Sequence, residues 1–216
     1  VPTGEIEVIA ETGGANGAAI GPDGKIYICN NGGFEWPYDD GLIQPVAQAK
    51  NYSGGRIERV DLTTGVVEIL YDSCEGHSLK GPNDIVFDDT GGFWFTDLGK
   101  RRDRDMDRGG IYYARADRHL IREVIYPLVT PNGIGLSADG KKLYAAETEP
   151  ARLLVWDIIS QGCVDLKPWP APGSGTLVAA PSGYQRFDSL ALDAAGNVCV
   201  ATLVKGGISV IDTKTK

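Results

Sequence analysis

One pattern recurs four times in this 216-residue chain: a polar residue, a short apolar strand, an Asp/Gly turn, and a second apolar strand. Asn16-Gly17-Ala18-Ala19-Ile20 leads through Pro22-Asp23-Gly24 to Lys25-Ile26-Tyr27-Ile28-Cys29-Asn30. Gly81-Pro82-Asn83-Asp84-Ile85-Val86-Phe87 turns at Asp89-Thr90-Gly91-Gly92 and returns as Phe93-Trp94-Phe95 to Asp97. Asn132-Gly133-Ile134-Gly135-Leu136 passes Ala138-Asp139-Gly140 to Lys142-Leu143-Tyr144-Ala145-Ala146-Glu147, and Asp188-Ser189-Leu190-Ala191-Leu192 passes Ala195-Gly196 to Asn197-Val198-Cys199-Val200-Ala201-Thr202. Alternating apolar and polar residues, β-branched and aromatic content and Asp/Gly punctuation each argue for an antiparallel hairpin. A hairpin brings the start of its first strand beside the end of its second, so Asn83 and Asp97 are expected to be neighbours.

A further strand pair follows each hairpin. These are Arg56 to Val60 with Val66 to Leu70, Gly110 to Tyr113 with Arg122 to Ile125, Leu153 to Trp156 with a segment near Val164 to Trp169, and finally Gly207 to Ile211. Four short antiparallel strands per unit, at about 40 to 50 residues per unit plus insertions, is the signature of a β-propeller blade. A sandwich would not explain why each unit repeats the same internal order. The fold class is therefore all-β, and residues 1–216 read as one partial propeller domain of about four blades plus a strand, Glu5 to Ala10. No substantial helix is visible, although Gln44 to Lys50 could form a single turn.

With 29 acidic against 21 basic residues, the net charge of −8 argues against nucleic acid as a partner. No apolar run approaches the roughly 20 residues needed to span a bilayer, so no membrane partner is expected. Cys29, Cys74, Cys163 and Cys199 lack a paired Cys-x-x-Cys spacing, which disfavours a zinc cluster. Reduced core thiols fit a cytoplasmic protein. A disulfide and a periplasmic or secreted location stay open, because Val1-Pro2-Thr3 has no initiator Met.

In a propeller the first strand of each blade lines the central channel. The repeat places Asn16, Asn83, Asn132 and Asp188 at one level of one face, although Asn and Asp are poor strand residues. Turn chemistry explains any one of them. A mixed amide and carboxylate shell of oxygens also suits a hard divalent cation, calcium first. Residues 33–54, with Phe34, Trp36, Pro37, Tyr38, Asp39 and Asp40, form an insertion that is either a lid or pocket wall, or packing against a neighbouring blade. Lys100 to Arg108 is a mixed-charge run of the solvated-loop type. His119 reads as an outer turn residue. His77 precedes Pro82-Asn83 on a loop that could reach the channel mouth, but no Gly-x-Ser-x-Gly elbow, phosphate loop or dinucleotide fingerprint is present.

The segments from Gly81 to Asp97, Thr130 to Thr148 and Phe187 to Ile208 resemble successive blades of the SMP-30/gluconolactonase/LRE family of six-bladed propellers, and Asn16 to Trp36 resembles an earlier one. That resemblance implies hydrolysis of a sugar lactone or related ester at a divalent cation held at the top of the channel. The cation would be calcium, or else zinc, manganese or magnesium. By motif, Asn132 and Asp188 resemble direct metal ligands. Asn83 resembles a position that binds metal in some members and substrate in others, and Asn16 is read with it as a substrate contact. Asp188 would orient or deprotonate the attacking water. Asp97 and Glu147 could support that shell or serve as ordinary loop-end acids.

Two departures accompany the resemblance. The family's Glu ligand, in a Glu-Gly-Pro motif, lies upstream of this sequence, so a ring of six needs more of a longer chain or a second copy in a homo-oligomer. Gly81 stands where some sugar lactonases carry arginine. A non-catalytic binding scaffold and a metal-dependent esterase or phosphotriesterase are the competing readings.

Overall fold

The computed structural model describes residues 4–39, 41–43 and 45–214. The first blade orders its strands β1 (Ala15–Ile20), β2 (Ile26–Asn30), β7 (Arg56–Val60) and β8 (Val67–Tyr71). Between β2 and β7 the insertion forms two small ribbons, β3 (Phe34–Glu35) with β6 (Ala47–Gln48), and β4 (Tyr38–Asp39) with β5 (Leu42–Ile43). A third ribbon, β9 (Ser73–Cys74) with β10 (His77–Ser78), leads to the second blade: β11 (Pro82–Phe87), β12 (Gly92–Asp97), β13 (Gly109–Arg115) and β14 (Ile121–Leu128). The third blade comprises β15 (Pro131–Leu136), β16 (Lys142–Glu147) and β17 (Arg152–Ser160). Its outer edge is shared by β18 (Cys163–Val164) and β19 (Thr176–Ala179). The fourth contributes β20 (Phe187–Leu192), β21 (Val198–Thr202) and β22 (Ile208–Ile211). Inner strands β1, β11, β15 and β20 pack side by side in that order, which is the arrangement of propeller blades about an axis.

Period-two alternation explains how the blades stack. In β12, Phe93 and Phe95 point into a core shared with the first blade, while Trp94 between them enters the core shared with the third. In β16, Leu143 and Ala145 face the second blade, and Tyr144 and Ala146 face the fourth. A middle strand is covered on both sides, so β12 is buried along its whole length and reads as a continuous apolar run. Aromatic pairs tie β12 to β13 within the second blade: Phe95 stacks on Tyr112 at 5.1 Å, and Trp94 meets Tyr113 edge-on at 4.9 Å. The hairpin turns are closed by their aspartates. Asp88 Oδ1 accepts from the Thr90 and Gly92 N–H groups, and Asp139 Oδ1 accepts from the Lys141 N–H. Gly140 supplies the left-handed residue that its turn requires, at φ 66°.

Three expectations change. Residues 5–10 form no strand; Ile6 and Val8 are exposed, and the Ile9 carbonyl approaches Gly65 of the first blade. The expected helical turn at 44–50 is instead the short strand β6, because Ala47 and Gln48 pair with Glu35 and Phe34. Asp40 and Gln44 lie outside the described residues. The outer strand of the third blade keeps only Val164 of the expected segment and resumes at Thr176, after an excursion with a 3-10 turn at Pro172–Ser174. All four cysteines are free thiols. No helix among the described residues is long and apolar enough to cross a membrane.

Candidate active site

Every inner strand carries an irregularity at the same place. Pairing to the second strand breaks between Ala15 and Ala18, Pro82 and Ile85, Pro131 and Ile134, and Phe187 and Leu190. The two residues inside each break are Asn16-Gly17, Asn83-Asp84, Asn132-Gly133 and Asp188-Ser189. A bulge bends the strand and re-aims a side chain that the ladder would otherwise fix. The recurring polar residue is therefore where each strand leaves regular pairing.

Two of the four are in direct contact. Asn132 Nδ2 donates to Asp188 Oδ1 at 2.6 Å and to Thr148 Oγ1 at 3.1 Å. Thr96 carries the chain of contacts to the second blade: its hydroxyl donates to the Asn132 carbonyl at 2.6 Å and accepts from the Asp84 N–H at 3.1 Å. Asp84 Oδ2 accepts the Ile134 N–H at 3.2 Å. Asn83, only 7% exposed, sits on the adjacent strand and makes no side-chain hydrogen bond among the described residues. Asn16 is exposed at the equivalent level of β1, beyond Asn83 from Asp188, and has no contact with either partner of the Asn132 pair among the described residues.

Small residues let these strands approach. A Cβ on Gly133 would fall 2.4 Å from the Leu190 nitrogen and 2.9 Å from the Asp188 carbonyl oxygen, and one on Gly17 would fall 2.4 Å from the Asn83 carbonyl oxygen. Gly81 is confined in the same way: its Cβ would lie 2.5 Å from the Gly99 carbonyl oxygen. The loop after β12 fills the space that a side chain at 81 would need, so this chain has no room for an arginine there.

Burial raises the Asp188 pKa above the usual carboxylate value, against the Asn132 hydrogen bond, the Arg186 charge and the Ser189 N–H. Asp84 is raised for the same reason, with the Asp188 charge adding to it. Two half-buried acids, on β11 and β20 with β15 between them, thus lie within electrostatic reach of each other.

Asp97 and Glu147, at the ends of second strands, act as loop-end acids. Asp97 accepts N–H groups from Lys80, Gly81 and Gly99 at 2.7, 2.7 and 2.9 Å, which holds the segment running into Asn83. Glu147 accepts the Val129 N–H at 2.7 Å and pairs with Arg152, holding the segment before Asn132. His77 is exposed on the β9–β10 ribbon, which packs at β14, so the geometry brings it to none of the ring residues.

The charge run is not wholly solvated. Lys100 is 1% exposed; its ammonium lies 3.5 Å from the Phe34 ring centre and donates to the Gly33 carbonyl at 2.9 Å. The Gln48 N–H donates to the Arg101 carbonyl at 2.9 Å. The base of the 33–54 insertion is therefore packing against the second blade, while Trp36 and Tyr38 at its outer part remain exposed.

The sequence pattern of the SMP-30/Gluconolactonase/LRE-like region matches residues 2–216. The chain belongs to this family. It is 30% identical over 196 residues to Lactonase drp35 of Staphylococcus saprophyticus, covering 90% of this chain and 52% of the relative. The Staphylococcus aureus (strain USA300) Lactonase drp35 is 28% identical over 202 residues, 93% of this chain and 54% of its own length. This family member thus spans about half the length of the curated relatives it matches. The fold agrees with a gluconolactonase from Xanthomonas campestris at TM-score 0.66 and 20% identity, over 92% of this chain and 58% of that one. It agrees with luciferin-regenerating enzyme at TM-score 0.62 and 14% identity, over 93% and 73%.

The oxygen donors fit a hard cation in kind. Asn132 uses its amide nitrogen on Asp188 and Thr148, leaving Oδ1 without a hydrogen bond among the described residues. Asn83 Oδ1 is likewise unbonded, and Asp188 supplies a carboxylate. No group of three or more His, Cys, Asp or Glu fit to hold a metal occurs among the described residues; hard cations also accept amide and backbone carbonyl oxygens and water. Thr96, Thr148 and Asp84 escape sequence reasoning. The Asn132 neighbourhood is assembled from residues 36 and 16 positions away, and a threonine at a strand end carries no distinguishing pattern.

Proposed function

We propose that this chain carries the reacting face of a lactone hydrolase, with a sugar lactone as the substrate class. The observation that carries the reading is the Asn132–Asp188 pair, held on bulged inner strands beside buried Asn83 and half-buried Asp84. The names of the lactonase and gluconolactonase relatives support it.

Asn83, Asn132 and Asp188 would hold a divalent cation, calcium first, through oxygen, and that ion would polarise the lactone carbonyl and acidify water. Asp188 does the proton work. Its carboxylate, made more basic by burial, accepts a proton from water as the oxygen attacks the carbonyl carbon. The proton then passes to the ring oxygen as the ring C–O bond breaks, leaving a hydroxy acid. Asn132 fixes the carboxylate through its amide, and the Thr96 and Thr148 hydroxyls fix Asn132 in turn. Asn83 keeps an amide N–H pair available to a substrate oxygen. The narrow inner face, closed by Gly17 and Gly133, keeps these groups within reach of one small cyclic ester.

Calorimetric titration with calcium, zinc and manganese, paired with a gluconolactone assay, tests the reading. It expects saturable binding of one ion that Asn132→Ala and Asp188→Ala each weaken, together with ion-dependent hydrolysis. Neither binding nor turnover would identify a binding scaffold instead.

A further inference from the structure

Beside the Asn132–Asp188 pair, two arginines from neighbouring blades meet on one carboxylate oxygen of a third. Glu149 Oε1 lies 2.6 Å from Arg186 Nη2 and 3.6 Å from Arg101 Nη1. Each comes from the edge where inner strands begin and second strands end. Arg101 follows Lys100 in the loop packed against Gly81, Glu149 follows the Thr148 that holds Asn132, and Arg186 lies two positions before Asp188.

Their backbones are fixed. The Arg101 carbonyl accepts the Gln48 N–H at 2.9 Å, the Glu149 N–H donates to Thr130 Oγ1 at 2.9 Å, and the Arg186 N–H donates to the buried Gln185 side chain at 2.9 Å. The Arg186 charge is answered by Glu149 and by the nearby Asp188 carboxylate, whereas Arg101 has only a 3.6 Å share of Glu149. Arg101 has the spare capacity: its side chain is 63% exposed and its guanidinium makes no hydrogen bond among the described residues. A guanidinium presents five N–H donors in a planar fork that matches a carboxylate.

We propose that Arg101 and Arg186 form an anion subsite at the channel mouth, and that the substrate is a lactone bearing a second group, a carboxylate, away from its lactone carbonyl. Glu149 holds Arg186 in place and leaves the Arg101 fork to meet the incoming carboxylate.

This inference rests on the lactonase reading, so its test separates the two. The full chain is assayed on a neutral gluconolactone and on a glucarolactone of the same carbon skeleton bearing a free carboxylate. The binding of gluconate and glucarate is measured by calorimetry. Wild type is expected to favour the acidic lactone and to bind glucarate more tightly than gluconate. Arg101→Ala is expected to lower the acidic-to-neutral ratio of kcat/KM, and the glucarate preference, by roughly tenfold. Arg101→Lys, which keeps the charge without the fork, should fall between the two. Equal effects of Arg101→Ala on both lactones and both acids would overturn the subsite. If neither lactone turns over, the hydrolase reading fails, and the calorimetric preference still decides the subsite: its absence in wild type overturns it.

Discussion

Asp188 Oδ1 accepts a hydrogen bond from Asn132 Nδ2 at 2.6 Å across the seam between the third and fourth blades. Fifty-six positions separate the two residues in sequence, and the bulges at Pro131–Ile134 and Phe187–Leu190 turn both toward one point. Because the contact depends on close approach of two strands, it is sensitive to anything that separates them.

Gly133→Ala tests that sensitivity. Its new Cβ would meet the Leu190 nitrogen at 2.4 Å, and backbone cannot yield as a flexible side chain can. The expected cost is about 1–3 kcal/mol of stability, together with loss of lactone hydrolysis as Asp188 is displaced. Urea denaturation and an activity assay on the same preparation check both.

Trp94→Ala should be a pure packing lesion. The indole is buried in the core between the second and third blades and meets Tyr113 at 4.9 Å. A loss of about 3–5 kcal/mol is expected, read from the urea midpoint.

Lys100 gives a pH signature. Burial lowers its pKa to about 8, below the 10.5 of a free lysine, despite the nearby Asp97 and Asp107 charges. Between those values the unfolded chain binds the proton more readily than the folded one, so this group adds stability as pH rises through the window. From pH 7.5 to 9.5 the contribution is on the order of 1–2 kcal/mol. Subtracting the stability of Lys100→Met at each pH should isolate that rise, and a flat difference would refute it.

The hairpins, their order and the four polar strand starts were legible because a period-two pattern with Asp/Gly turns is written locally, and the family follows from motifs in sequence order. Lys100 was not legible: in sequence it opens a charge run, and only the Phe34 ring, 66 positions earlier, makes its site a buried one. Arg186 and Glu149 were hidden for the same reason, since their meeting depends on where two loops end. Asn16 shows the converse. Its motif places it with the ring, yet on β1 it remains exposed and apart from the Asn132–Asp188 pair. Gly81, legible only as a departure from related lactonases, has a local steric cause in the Gly99 carbonyl.

The most direct test of the central claim is the rate of gluconolactone hydrolysis by Asp188→Asn against wild type, at saturating calcium and with folding verified by circular dichroism. The side chain keeps its size but loses its proton acceptor, so kcat is expected to fall at least about a hundredfold. Wild-type kcat in this variant would contradict the assignment of Asp188 as the base.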